Sequence, residues 1–233
     1  MHLDRDLAGP VGPTSGRHPL PPPEQSARRA GEWGIGEGVQ VVVCDQGNGM
    51  YAARAWWLLR TPGHRRVAVL DGGLAAWTAA GRPLVTDPPR PVPRRFVLRT
   101  DPSAVVAAAQ VAAGLASGAI RLVDARGADR FAGQNETIDP VAGHVPGAVN
   151  HPFARNLDER GRLLPALELR ERWQATLAGR DPREMVAMCG SGVSACLNLL
   201  ALEHAGLPGA RLYPGSWSEW IRDPSRPVAT GPA

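Results

Sequence analysis

The chain repeats itself, and that repeat limits the fold more than any other feature. An ungapped shift of 143 residues places Gly49 on Gly192, Ala52 on Ala195, Gly63 on Gly206, Gly72 on Gly215 and Trp77 on Trp220. Internal repetition of this kind marks duplicated supersecondary units. Each copy has an apolar run upstream, Val39-Gln40-Val41-Val42-Val43 in the first and Met185-Val186-Ala187-Met188 in the second. Short apolar runs of this type read as buried strands. Each copy continues with a helix opened by Gly, a Gly turn, a short strand (Val67 to Leu70; Ala210 to Tyr213), another Gly turn and a Trp-bearing helix. Strands alternating with helices predict an α/β fold in which each unit is a parallel sheet flanked by helices.

The stretch Pro83 to Arg95 is rich in Pro and Arg. Proline fixes φ and removes a donor, so regular structure is disfavoured there. The expected organisation is a first unit at residues 1–85, a linker at 86–100 and a second unit at 101–233. The second unit should carry a helical stretch at Pro102 to Ala116 and a strand at Ile120 to Asp124. A loop follows, ending in Gly143-His144-Val145-Pro146-Gly147-Ala148-Val149-Asn150. Residues 101–150 have no counterpart ahead of Met1. The first unit is therefore expected to lack its first strand and helix. An incomplete sheet of this sort exposes an edge, which favours association or low stability.

The formal net charge is +4, and with no lysine present all 26 basic residues are arginines scattered among acids. A nucleic-acid footprint needs a basic stripe on one element, and none is visible. No apolar run approaches the roughly 20 residues that a membrane span needs. The start, Met1-His2-Leu3-Asp4-Arg5-Asp6, lacks the basic and apolar segments of a secretory signal. The reading is a cytoplasmic chain with neither nucleic-acid nor membrane partners. Three widely spaced cysteines, Cys44, Cys189 and Cys196, oppose a disulfide framework. No CxxC pair exists and no His lies at zinc spacing from a Cys, so no metal or organic cofactor is implied.

The chemistry concentrates at Met188-Cys189-Gly190-Ser191-Gly192-Val193-Ser194-Ala195. A buried strand ends on a Cys, a glycine-containing loop follows, and a helix begins. Several backbone N–H groups and the helix start then face one spot, which favours an anionic sulfur. Glycines permit the backbone angles of such a cradle. A thiolate there can take a sulfur atom and hold it as a persulfide, with the N–H groups of residues 190–194 on the terminal anion. The bland alternative is that Cys189 is a small buried hydrophobe.

The loop Cys189-Gly190-Ser191-Gly192-Val193-Ser194-Ala195 resembles the active-site loop of the mercaptopyruvate sulfurtransferases of the rhodanese family, with Ser194 where they usually carry Thr. Asp124-Ala125-Arg126, Gly143-His144-Val145-Pro146-Gly147-Ala148 and Tyr213-Pro214-Gly215-Ser216-Trp217-Ser218-Glu219-Trp220 resemble the family's flanking signatures, in order. The resemblance extends over essentially the whole chain. It implies tandem rhodanese units with the second one catalytic, and a persulfide on Cys189. The donor would be 3-mercaptopyruvate or thiosulfate, and the acceptor cyanide, a thiol or thioredoxin. It implies that Arg130 binds the acid group of the donor. It also implies that Ser191, His18 and Asp4 form a proton-handling trio, with Gly190, Gly192, Val193 and Ser194 as substrate-binding loop residues. Two departures stand out. The stretch Thr137-Ile138-Asp139-Pro140-Val141 lacks the second arginine common in mercaptopyruvate enzymes, and Gly190 and Ser191 lack the cations of thiosulfate-preferring relatives. By the same shift Gln46 takes the place of Cys189 in the first unit, which leaves that unit without a nucleophile. Cys44 and Cys196 then read as structural, and so does His144.

Two rivals compete with this reading. A phosphatase or arsenate reductase on the same fold needs an Arg six residues after the Cys, where this chain has Ala195. A non-catalytic interaction or sulfur-carrier module is suggested by the shortened first unit. Alkylation separates it from an enzyme: an activated Cys189 labels quickly near neutral pH, and an inert buried one does not.

Overall fold

The computed structural model describes residues 1–87 and 90–232. Pro88 and Pro89 of the expected linker, and Ala233 at the end of the second unit, lie outside the described residues. The first half contains a short helical turn at Leu3–Leu7, α1 (Pro23–Glu32), β1 (Val41–Val43), α2 (Met50–Arg60), β2 (Val67–Val69) and α3 (Gly73–Ala79). The second contains α4 (Ala108–Ala116), β3 (Arg121–Asp124), α5 (Ala128–Phe131), β4 (Val149–Asn150), α6 (Ala166–Leu177), β5 (Met185–Met188), α7 (Ala195–His204), β6 (Arg211–Leu212) and α8 (Ser216–Trp220).

All strand pairings within the two sheets are parallel. The first sheet is β1–β2, and the second has the order β4–β3–β5–β6. Parallel neighbours require helical crossovers, which the alternating elements supply. The expected helix over Pro102 to Ala116 is interrupted. Only a short 3-10 turn, Pro102–Ala104, precedes α4. Between them Val105 bridges Leu212 in parallel, and the Val106 N–H donates to the Leu212 carbonyl at 2.8 Å. Two adjacent β-branched residues favour this extended backbone over a helix. Helix α1 was not foreseen from the sequence; its run Pro23-Glu24-Gln25 carries a proline in the first turn, where the missing N–H is harmless.

The linker region forms no helix or strand at residues 90–101. It is nonetheless tied to the first unit, where Arg94 N–H donates to the Gly31 carbonyl and Arg99 N–H to the Pro62 carbonyl, each at 2.9 Å. Helix α7 is mostly apolar and buried from Ala195 to Leu199, with Asn198 the one amide in that span. It packs against β5 and α6 on its own side and against α2 of the first unit. Ala52, Ala55, Trp56 and Leu59 of α2 thereby join Leu197, Leu199 and Leu202 in one hydrophobic core that runs through both units. The loop after β5 therefore begins where the two units press together. Among the described residues no helix is long and apolar enough to cross a membrane.

His144 stacks on Phe131 with ring centroids 3.8 Å apart and places Nδ1 2.8 Å from the Phe131 carbonyl, so its role is in packing. His151 is the more consequential histidine. It is fully buried against Trp173, with Nδ1 2.7 Å from Thr176 Oγ1 and Nε2 without a partner among the described residues. Burial, with the Arg155 charge adding to it, holds its pKa down at about 4 from the usual 6.5. The folded state thus takes up this proton less readily than the unfolded chain. The stability that depends on it is fully present above pH 6.5 and is lost as the pH falls towards about 4. That loss amounts to about 3 kcal/mol. Urea unfolding at pH 7 and at pH 4.5 should show a larger acid loss in the wild type than in His151→Phe, which keeps the stacking and cannot be protonated. Equal losses in the two proteins would refute the assignment.

Candidate active site

Strand β5 is buried along its whole length and delivers Cys189 into the interior, with 2% of the residue exposed. The loop after it is shaped by Gly192, whose φ of 76° belongs to the left-handed region. A Cβ at Gly192 would also strike the Pro214 carbonyl, so glycine is required on two counts. This conformation brings the Gly192 N–H within 3.1 Å of the Cys189 sulfur, to which it donates. The N–H groups of Gly190, Ser191, Val193 and Ser194 make no hydrogen bond among the described residues. Most of this loop is buried, so these donors lack a protein partner within a few residues of the thiol.

The start of α8 clamps the loop from the other side. Trp217 and Ser218 donate their N–H groups to the carbonyls of Cys189 (3.0 Å) and Gly190 (2.9 Å). Ser216 Oγ accepts from the Cys189 N–H at 3.0 Å and donates to the Tyr213 carbonyl at 2.9 Å. Ser216 does this at a φ of 54°, a strained value for a residue with a side chain. Ser216 had drawn no notice in the sequence beyond its place in the closing signature.

The trio expected from the first unit assembles at this loop. His18 Nδ1 lies 2.8 Å from Ser191 Oγ, and His18 Nε2 lies 3.3 Å from Asp4 Oδ1. With a proton on Nε2 facing Asp4, Nδ1 presents its lone pair to the Ser191 hydroxyl. Burial lowers the pKa of His18 below the usual 6.5. Arg17 and Arg54 push the same way, against the pull of Asp4. The imidazole is accordingly neutral at neutral pH.

Arg130 departs from expectation. It is not a free guanidinium: Nε and Nη2 bind Glu136, and Nη2 also donates to Asp139 Oδ2 at 3.1 Å. Only Nη1 remains, and it faces Gly190. Asp139 additionally grips Nη1 of Arg17, which sequence reasoning did not select. Burial raises the Asp139 pKa even though Arg17 lowers it. Arg126 donates to Asp124 and to the Gly143 carbonyl, and its Nη1 is buried without a hydrogen bond. The fully buried Arg54 of α2 was also missed. Nothing in the local sequence separates it from the chain's many surface arginines.

The other cysteines do not share this setting. Cys196 lies beneath the loop with its thiol 3.4 Å from the Gly192 carbonyl, and burial pushes it up to about 12. Cys44 is exposed, which removes it from the core. The first unit's loop also corrects the alignment of Gln46 with Cys189, because Gln46 is exposed. The group in its cradle is the Asp45 carboxylate, which accepts from the N–H groups of Gly47 (3.0 Å), Gly49, Tyr51 and Ala52 (each 3.1 Å). The run from Asp45 to the left-handed Gly49 is one residue longer than that from Cys189 to Gly192, so an ungapped shift misplaces it.

Substituting the two loop glycines should separate backbone demand from ligand space. Gly192→Ala should lower stability by about 2 kcal/mol or more, through the left-handed φ and the clash with Pro214. Gly190→Ala keeps an ordinary φ and meets no backbone, only arginine side chains, Arg17 Nη2 nearest at 3.0 Å, so it should cost less, about 1 kcal/mol. Thermal unfolding of the two variants checks both, and equal Tm values would contradict the assigned geometry.

Comparison with known proteins shows the family of the chain. The rhodanese-like domain model matches residues 13–80 and 107–223. The protein named "Probable 3-mercaptopyruvate sulfurtransferase" in Pseudomonas aeruginosa is 52% identical over 231 residues, which cover 98% of this chain and 81% of that protein. The 3-mercaptopyruvate sulfurtransferase of Homo sapiens is 36% identical over 209 residues, covering 87% of this chain and 69% of that one. The solved 3-mercaptopyruvate sulfurtransferase from Leishmania major superposes with a TM-score of 0.81 at 31% identity, covering 94% of this chain and 61% of that chain. The chain belongs to the family of proteins built from rhodanese-like domains.

Proposed function

We propose that this protein is a sulfurtransferase that carries sulfur as a persulfide on Cys189. The observation that carries the reading is the nest around the thiol. One N–H already donates to the sulfur at 3.1 Å, and four neighbouring N–H groups are left without partners. Buried donors of this kind are costly unless an anion arrives to use them. A terminal persulfide sulfur, one atom beyond the thiol, is such an anion. The relatives' names support sulfur transfer as the reaction class.

In the proposed mechanism Cys189 attacks the sulfur of 3-mercaptopyruvate. The new S–S bond forms as the donor's C–S bond breaks, and the electron pair passes to carbon as the pyruvate enolate. The donor's thiol proton passes to His18 Nδ1, Ser191 gives its own proton to the enolate carbon, and His18 returns the proton to Ser191 while Asp4 steadies the imidazolium. With thiosulfate, the donor's S–S bond breaks instead and sulfite leaves with the pair. A nucleophilic acceptor (cyanide, a small thiol or thioredoxin) then attacks the terminal sulfur and regenerates the Cys189 thiolate. Arg130, through its free Nη1, binds the acid group of the donor. Residues 190–194 hold the persulfide by their backbone.

Incubation with donor alone should raise the protein's mass by one sulfur atom in the wild type and not in Cys189→Ser. His18→Asn should lower kcat for mercaptopyruvate by about 100-fold. The His18 pKa lies below 6.5, so the wild-type rate should fall with pH only under that value, as the imidazole gains a proton, and the His18→Asn rate should not follow. A sulfur adduct on Cys189→Ser would sink the persulfide reading, and an unchanged acid limb in His18→Asn would sink the relay.

A further inference from the structure

Two guanidinium groups turn an unused N–H edge towards the residue that follows Cys189. A methyl group placed on Gly190 would lie 3.0 Å from Arg17 Nη2, 3.8 Å from Arg130 Nη1 and 3.9 Å from Arg126 Cδ. Gly190 has no side chain, so none stands between its backbone and these two nitrogens. Neighbouring Cα atoms are about 3.8 Å apart, which puts this spot beside the nucleophile. Arg17 Nη2 and Arg130 Nη1 carry no hydrogen bond among the described residues.

The opposite edges of both groups are held. One buried carboxylate, Asp139, takes Arg17 Nη1 on Oδ1 and Arg130 Nη2 on Oδ2. Arg17 is also fixed through its backbone, since its N–H donates to Ser218 Oγ at 3.0 Å. The preceding Gly16 sits so close to the Gly215 carbonyl that no Cβ would fit. Ser218 in turn donates its N–H to the Gly190 carbonyl at 2.9 Å. Arg17 is thus built onto the same clamp that holds the loop.

We infer that Arg17 is a second donor-recognising residue, which with Arg130 seats the acid group of the sulfur donor over Gly190 while Asp139 positions both. The inference rests on Cys189 being the sulfur-accepting group. The stretch after Arg130 lacks a second arginine; Asp139 stands there and draws that guanidinium from residue 17. Glu136 and Asp139 balance the charges of Arg130 and Arg17, so recognition depends on aimed N–H donors. Two planar forks favour a small donor with a carboxylate or similar two-oxygen acid group. A point charge on a flexible stem would serve poorly in place of Arg17.

Alkylation tests this without sulfur transfer. Iodoacetate and iodoacetamide are similar electrophiles, and only the first carries a carboxylate. Rates are measured at Cys189 in a Cys44→Ser background, because Cys44 is exposed. Arg17→Met should lower the iodoacetate-to-iodoacetamide rate ratio by about 10-fold, the ratio cancelling any change in thiol reactivity that both reagents share. It should raise KM for 3-mercaptopyruvate by about 10-fold or more while kcat changes less than about 3-fold. Arg17→Lys should recover only part of each, and it carries the test if the Met variant fails to fold. Adding Asp139→Asn to Arg17→Met should cost less than it does in the wild type. An unchanged ratio and KM in a folded Arg17→Met or Arg17→Lys protein would overturn the role of Arg17. A wild type that takes up no sulfur would instead overturn the function of the site, with the alkylation ratio still reporting on Arg17.

Discussion

The buried side chain of Arg54 is the constraint on which the site depends. It has no carboxylate partner among the described residues. It donates instead to the carbonyls of Leu7 (3.2 Å), Gly192 (3.1 Å), His18 (3.1 Å) and Pro19 (3.4 Å). A charge taken out of water costs several kcal/mol unless its hydrogen bonds are made. The carbonyls come from the N-terminal stretch Leu7–Pro19 and from the loop at Gly192, which are remote in sequence, so the guanidinium is satisfied only when both are in place. Helix α2 of the first unit thereby orders the segment carrying Asp4, Arg17 and His18 and the loop carrying Cys189 in one step. Burying α2 against α7 places Arg54 there, and the hydrophobic core and the polar site form together.

The absence of lysine gives this chemistry its form. A guanidinium is a planar fork, so a carboxylate can hold one edge while another edge faces elsewhere. Arg126 is held by Asp124 on Nε and Nη2, Arg130 by Glu136 and Asp139, and Arg17 by Asp139. Among the described residues Arg17 Nη2 and Arg130 Nη1 stay free of hydrogen bonds, while Arg126 Nη1 lies 3.6 Å from Glu136 Oε2. The acids do not cancel the site. They spend one edge of each fork to aim the other, which an ammonium group could do far less well.

The parts of this arrangement that were legible in the sequence are the local ones. A buried strand, a cysteine, two glycines and a helix lie in one short run, and their geometry follows from their order. His18 and Asp4 could be named from the resemblance. The structural reason they meet Ser191, the Arg54 cross-link, depends on contacts across more than a hundred residues and leaves no local trace. Arg17 looked like one surface arginine among many, and Asp139 looked like a gap in a pattern. Neither has meaning until the chain places them together. Asp45 was hidden by a one-residue difference in loop length, which preserves the helix register and moves the cradle group. Val105 and Val106 were absorbed into a helix because alanine-rich sequence follows them, and their pairing with Leu212 is a tertiary effect.

The two loops set out the physical choice that separates a structural turn from a reactive one. Both end a parallel strand, both carry a left-handed glycine, and both gather N–H groups at a helix start. In the first unit the nest is filled from within: four N–H groups end on Asp45, and the loop is complete as folded. In the second, among the described residues, only the Gly192 N–H is used by the thiol. A loop with open donors is less stable than a filled one, so it has to be held from outside. Part of this support recurs at Asp45, where the left-handed Gly73 stands in place of Ser216 and the Leu74 N–H donates to the Asp45 carbonyl at 3.0 Å; the second loop adds the Ser216 hydroxyl, the Ser218 bond to Gly190 and Arg54. The support around Cys189 thus offsets the cost of donors left unpaired, and an anion formed on the sulfur would then find those donors already in position.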